Sequence, residues 1–172
     1  MNTVRNAFDA GGNMDVRFAT LRDIPNCIEL GFRVQKSTGL ARFAYDRTVV
    51  EKNLRNLIVV GQQKRRSHCL LLAEDEQGLL IGGLIGCIDS HLFSHRPVAN
   101  MIAYGVRPGH RMTGAAVRLM KAFVEWAKRR GAYEVNAGVN SGTDIERTDR
   151  FMKKMGFAKT GANYALRLKS LE

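Results

Sequence analysis

The sequence has no apolar run approaching the roughly 20 residues that a membrane-crossing helix needs. Its most apolar stretch, GLLIGGLIGCI from Gly78 to Ile88, is short and broken by glycines. The opening MNTVRNAFDAGGNMD lacks the continuous apolar core of a secretory signal, and residues 1–13 read as a flexible leader. Cysteine is scarce. Cys27, Cys69 and Cys87 are odd in number, far apart and set among apolar neighbours, with no C-x-x-C. That excludes a disulfide frame and a zinc site, and predicts reduced, buried thiols in a cytoplasmic protein. Acidic residues are also few, 16 against 27 Lys and Arg, for a formal net charge of +11. The one acidic cluster is Glu74–Glu76. Such an excess predicts an anionic partner: a phosphate-bearing cofactor, nucleic acid or an acidic surface. Basic residues gather at QKRRSH (Gln62 to His68) and KRRG (Lys128 to Gly131). The second run has a local reading as well. Cations at a helix C-terminus complement its dipole, and Gly131 supplies the cap.

What is present fits one globular domain over residues 1–172, with 45% apolar and 25% charged residues. DVRFA alternates like a short strand. Behind it, Ile24, Cys27, Ile28, Gly31 and Phe32 recur at helical spacing, with Thr20 or Asp23 as cap and Pro25 in the first turn. A second helix runs from Asp46 to about Val60. HCLLLAE, DEQG and LLIGGLIGCIDSHLF read as strand, turn and strand, an antiparallel hairpin, and VANMIAYGV is the next strand. Ala116, Leu119, Met120, Phe123, Trp126 and Ala127 then line one face of a helix. YEVNAGV is a strand, TDIERTDRFMKKMG a helix, and NYALRLK a closing strand. The order β-α-α-β-β-β-α-β-α-β predicts a mixed sheet with helices packed on it, α/β or α+β by class.

Between the fourth strand and the third helix stands VRPGHRMTGAA, Val106 to Ala116. Gly109-x-x-x-x-Gly114 starts like a Walker A loop, but Ala115 and Ala116 replace the lysine and hydroxyl that such a loop needs. No G-x-G-x-x-G is present, so the dinucleotide fingerprint fails too. The stretch still suits phosphate. Gly114, Ala115 and Ala116 let backbone N–H groups approach a ligand at a helix N-terminus, where the dipole favours anions. Arg107 and Arg111 add charge. A diphosphate held this way is gripped without a metal and not cleaved.

The run Val106, Pro108, Arg111, Gly114, Ala116 resembles the acetyl-CoA loop of the GCN5-related N-acetyltransferases (GNAT), R/Q-x-x-G-x-G/A, in the same place between strand and helix. VRFATLRDIPNCIEL is similar to that family's first strand and helix, and RFMKKMGF (Arg150 to Phe157) to its late helix and following Gly-Phe. The resemblance covers about residues 14 to 168. It implies a central, mixed but mostly antiparallel sheet of about six to seven strands, flanked by about four helices and splayed between strands 4 and 5. It also implies acetyl-CoA as co-substrate, with no metal. The pantetheine arm would pair with Tyr104, Gly105 and Val106. The diphosphate would sit on N–H groups of Arg111, Met112, Thr113, Gly114, Ala115 and Ala116. An amine would attack the thioester directly, with much of the rate coming from alignment of two substrates.

Two positions depart from the family. Met152 stands where many members keep a tyrosine that protonates the leaving thiolate, and Ile145 where many keep an asparagine on the cofactor. Asn140, at the end of the fifth strand, is a substitute for the second. For proton transfer the candidates are Tyr104 in the fourth strand, Asp89, His91 and His95 after the third, and Tyr164 in the last, with a water relay as the alternative. The acceptor is a small-molecule or protein amine, and an acidic one would suit the charge. No membrane partner is expected, and a homodimer is compatible with the sequence. Two other readings stay open: a catalytically weak acyl-CoA-binding or regulatory module, motivated by Met152, and a basic nucleic-acid-binding protein. Against the latter, the basic runs lack interleaved aromatics and no helix-turn-helix signature is present.

Overall fold

A computed structural model describes residues 14–138, 142–166 and 168. Five strands form one sheet in the order β1 (Asp15–Phe18), β2 (His68–Glu74), β3 (Leu80–Ser90), β4 (Pro97–Val106) and β5 (Glu134–Ala137). Neighbours from β1 to β4 are antiparallel, and β4 pairs with β5 in parallel. The helices are α1 (Ile24–Lys36), α2 (Arg47–Asn56), α3 (Ala115–Arg129) and α4 (Ile145–Lys154). The expected mixed, mostly antiparallel class holds. The strand count is five among the described residues, below the six to seven expected. NYALRLK forms no strand in its described part. Its alternation promises a buried face, yet Tyr164, Leu166 and Leu168 are 94%, 86% and 86% exposed.

The sheet is buried on both sides, and β2 shows why. Its residues from Cys69 to Ala73 are all buried. Cys69, Leu71 and Ala73 pack into the core beneath α3, while Leu70 and Leu72 pack into the core beneath α1 and α2. Period-two alternation thus feeds two apolar layers from one strand. On α3, Leu119, Met120, Phe123 and Ala127 have no exposed surface and Trp126 only 4%, the stripe that the sequence spacing predicts. Burying one such large side chain stabilises the fold by about 1.5–3 kcal/mol.

The ends of these elements follow from local chemistry. The Asp23 carboxylate accepts from the N–H and hydroxyl of Thr20 (2.7 and 2.9 Å) and from the Arg17 guanidinium at 2.7 Å. Arg17 also donates to Glu74, tying β1 to β2. Asp46 caps α2 by accepting from Thr48 and Val49. α2 does not stop near Val60 but continues as wider π-helical turns, Leu57–Lys64. Gln62 fixes that segment: its side chain donates to the Ala19 carbonyl and accepts from the Leu70 N–H. α3 ends as expected, the N–H of Gly131 bonding to the Lys128 carbonyl at 2.9 Å. α4 ends the same way, with bonds from Gly156 to Lys153 and from Phe157 to Met152. Gly156 adopts φ +90°, the left-handed conformation this double bond requires. The Gly-Phe pair after α4 is therefore a helix stop, with Phe157 folded back onto the core beside Met152.

Candidate active site

Pairing between β4 and β5 runs from Val98 with Glu134 to Met101 with Ala137 and goes no further. β4 continues to Val106, still paired with β3. Its register shifts between Ile85 and Gly86, where Ile102 is an extra residue opposite β3, a bulge that bends the strand as it leaves β5. From Ile102 to Val106 one edge of β4 thus has no strand partner among the described residues. A cavity of about 570 Å³ opens there, bounded by α1 on one side and α4 on the other. That volume is in the range of small-molecule sites.

The far end of β4 leads into the Arg107–Gly114 loop. The Arg107 N–H bonds to the Ile81 carbonyl at 2.7 Å, anchoring the loop to β3. Two tight turns follow, His110 to Arg107 and Thr113 to His110. Gly114 then takes φ +82° and ψ −3° and starts α3. A side chain there would be strained, which explains the glycine independently of any ligand. The first intrahelical bond is donated by Arg118 to Gly114, so the N–H groups of Ala115, Ala116 and Val117 lie in the unpaired first turn. Ala115 is wholly buried in the α3 core, and Ala116 lines the cavity. The two alanines are small for different reasons: one packs against protein, the other leaves room. Arg111 also lines the cavity, and its Nη2 donates to Ser37 Oγ at 2.9 Å, across to the end of α1. The buried Nδ1 of His110 makes no hydrogen bond.

Tyr104, Gly105 and Val106 all line the cavity. The Tyr104 ring stacks on Phe151 of α4, and burial raises its hydroxyl pKa above the ordinary value. A tyrosine hydroxyl is protonated at neutral pH in any case, and the raised pKa makes this one a weaker acid than a free phenol. Met152 lines the cavity too, but is 8% exposed and packed in the core.

Other expected site residues fall elsewhere. Asp89 is exposed and pairs with Val98, at the opposite end of β4 from Val106, roughly 25 Å away at about 3.3 Å per residue. His91 and His95 lie beyond it in the exposed β3–β4 connection. None of the three lines the cavity, because the hairpin carries its connection away from the splayed edge. Tyr164 stands in solvent rather than on the acceptor side. Met112 is 88% exposed and Thr113 exposed, the Thr113 hydroxyl donating to the His110 carbonyl at 2.7 Å. Ile145 is 62% exposed at the start of α4. Asn140 lies outside the described residues.

Sequence reasoning brought α4 to the site through Met152 but missed Asp144, Arg147, Thr148 and Phe151. Asp144, Arg147, Thr148, Phe151 and Met152 all line the cavity. Their spacing, i, i+3, i+4, i+7 and i+8, places them on one helix face, a pattern that was there to be read. Asp144 itself takes φ +50° and ψ +51°, a conformation rare outside glycine. Thr143 accepts a hydrogen bond from the Gly39 N–H at 3.0 Å, so the segment after α1 reaches across to α4.

A protein-family model described as the acetyltransferase (GNAT) family matches residues 38–157. This chain belongs to that family, and is an acetyltransferase by class. Solved structures share its fold at low identity. An aminoglycoside antibiotic 6′-N-acetyltransferase from Acinetobacter baumannii aligns with TM-score 0.69 at 19% identity, over 92% of this chain and 99% of that one. Glucosamine-6-phosphate N-acetyltransferase from Arabidopsis thaliana aligns with TM-score 0.69 at 14% identity, over 91% and 99%. Ribosomal-protein-alanine N-acetyltransferase from Brucella melitensis biovar Abortus 2308 aligns with TM-score 0.68 at 18% identity, over 90% and 99%. No curated protein sequence matches. Acetyltransferases of this family use acetyl-CoA as co-substrate. Among the described residues no helix is long and apolar enough to cross a membrane.

Proposed function

We propose that this protein transfers acetyl from acetyl-CoA to a primary amine within a ternary complex, as one catalytic domain acting in the cytoplasm. The observation that carries the reading is the free edge of β4, Ile102 to Val106, running directly into the Arg107–Gly114 loop and the unpaired first turn of α3. An extended thioester arm can add to that edge as a strand would, at Tyr104, Gly105 and Val106. The diphosphate then meets backbone N–H groups between Arg111 and Ala116, with the Arg111 guanidinium beside them. Asn140, from the segment after β5, is a further cofactor contact in this reading.

The chemistry needs little beyond alignment. The amine nitrogen, once neutral, attacks the thioester carbonyl carbon. The C–S bond breaks as the tetrahedral adduct collapses, and the departing sulfur takes a proton from the Tyr104 hydroxyl. Water accepts the proton released by the amine and returns one to the Tyr104 phenolate. Holding both substrates in line supplies most of the acceleration. No metal takes part.

One observation favours a second reading. Met152, at the position where relatives of this kind often carry a donor, is locked in the core and cannot give a proton. An acyl-CoA-binding module with weak turnover would tolerate that. Thiol release from acetyl-CoA, measured across simple amines, polyamines, aminoglycosides and peptides, separates the two. Multiple turnovers with one acceptor class support the enzyme. Tight acetyl-CoA binding with no release above the uncatalysed rate supports the module.

A further inference from the structure

The lining of the cavity falls into two unlike parts, called limbs below. One lies between the β4 edge and α4 and carries Arg111, Asp144 and Arg147, its charged groups among the described residues. The other reaches under α1 and α2, walled by Leu30, Val34, Tyr45, Val50, Leu54 and Ile85. Polar groups at the rim of this second limb have already spent their donors on backbone. Tyr45 donates to the Ile28 carbonyl at 2.8 Å, and Gln35 to the carbonyls of Leu40 and Phe43. Ser37 and Thr38 donate to the carbonyls of Val34 and Gln35. Cys27, also in the wall, has its thiol pushed up to about 12 by burial and stays neutral.

We propose that the limb under α1 and α2 takes the hydrocarbon body of the acceptor, so that the substrate is a small amine with an apolar alkyl or aryl body. The inference rests on the acetyltransferase reading above and adds the acceptor class. Charge argues the same way. A polycationic sugar or polyamine needs several carboxylates, since desolvating unpaired ammonium groups is costly. The described cavity wall offers one, Asp144, and the Arg147 guanidinium stands 3.8 Å from it. Arg111 and Arg147 suit the anionic donor and repel a second cation. The likeness to aminoglycoside acetyltransferases is one of fold.

The test uses the full chain with acetyl-CoA and a series of n-alkylamines from propylamine to octylamine, beside kanamycin and spermidine. The alkylamines share one ammonium head, so basicity stays nearly constant while the body grows. The expected result is a rise in kcat/KM of about threefold to fourfold per methylene until the limb is full, the value of burying one such group. Val50→Asp, which sets a carboxylate on the half-buried α2 wall, should lower kcat/KM for octylamine at least tenfold while acetyl-CoA affinity by calorimetry is unchanged. A flat or falling series, or kanamycin or spermidine outperforming octylamine, overturns the proposal. So does a chain-length preference found with octanoyl-CoA and absent with amines, which assigns the limb to the acyl arm. If acetyl-CoA gives neither binding heat nor thiol release with any amine, the acetyltransferase reading itself has failed, and this inference with it.

Discussion

The rings of Tyr104 and Phe151 lie stacked, their centroids 6.2 Å apart and their planes 11° apart. This contact joins the free part of β4 to α4 across the cavity and fixes where the Tyr104 hydroxyl can go. Tyr104→Phe preserves the stack and removes only the proton. It should lower kcat by at least about tenfold, toward the 10²–10⁴ typical of a lost general acid, with acetyl-CoA affinity within about twofold of wild type. Steady-state kinetics with one good acceptor and calorimetry provide both numbers. Full activity in the variant would hand the proton to water.

Met152 invites the opposite substitution. With Tyr104 already supplying the proton, a second donor at this position adds little. Met152→Tyr should thus change kcat by less than tenfold, under about 1.4 kcal/mol. It should cost stability instead, about 1–3 kcal/mol, because Met152 is 8% exposed in a packed core and bonds through its carbonyl to Phe157. Chemical denaturation reads the stability change. A large gain in kcat would mark the native protein as a weakened enzyme and favour the binding-module reading.

Acid stability should depend on Asp23. The hydrogen-bonded Arg17 guanidinium, helped by Thr20, holds its carboxyl down to about 2, against about 3.9 in an unfolded chain. A depressed carboxylate stabilises fully above its unfolded value and loses that contribution as pH falls toward its folded one. Between about pH 4 and pH 2 the fold should lose on the order of 1 kcal/mol from this group once solvent screening is allowed for. In Asp23→Asn that part of the loss should vanish, with lower stability at pH 7. Denaturation curves at pH 7, 4 and 2.5 check both; an identical acid slope in the two proteins would contradict it.

Arg111 donates from Nη2 to Ser37 Oγ, which ties its guanidinium to the end of α1. Arg111→Ala should lose about 1.5–3 kcal/mol of CoA affinity, the worth of a charge-assisted bond. Dephospho-CoA should suffer the same loss, since it keeps the diphosphate. A loss confined to the 3′-phosphorylated form would move Arg111 to the other end of the cofactor. Ser37→Ala should change affinity less than Arg111→Ala, because it removes the tether and not the charge.

Much of the fold is legible in the sequence because it is periodic. The α3 stripe, the buried run of β2 and the glycine stops after α3 and α4 are local patterns with local causes. The Arg107–Gly114 loop is legible for the same reason, since its small residues and Arg111 lie within a few positions. What stayed hidden depends on tertiary contact. The side chain of Gln62 draws α2 onward into wider turns through bonds to Ala19 and Leu70, distant in sequence. Asp89 looks close to a site when read along the chain, yet the hairpin sends it to the far end of β4. Tyr164 and Leu166 alternate as a strand does, and alternation alone supplies no neighbour for them to pair with. The α4 wall was readable from its spacing, but only once α4 was known to face the β4 edge.

Acetyl-CoA binding at the Arg107–Gly114 loop is the central claim, and Gly114 tests it most directly. Among the described residues nothing lies within 4 Å of where a side chain would start, so a substitution meets only its own backbone strain at φ +82°. Gly114→Ala should cost about 1–2 kcal/mol of stability for that strain and still bind acetyl-CoA. Gly114→Glu carries the same strain and adds bulk and negative charge where the diphosphate would rest. Calorimetry of acetyl-CoA against the wild type and both variants, each shown to be folded by circular dichroism, should give binding in the first two and none in the third. Wild-type affinity in folded Gly114→Glu would contradict the account.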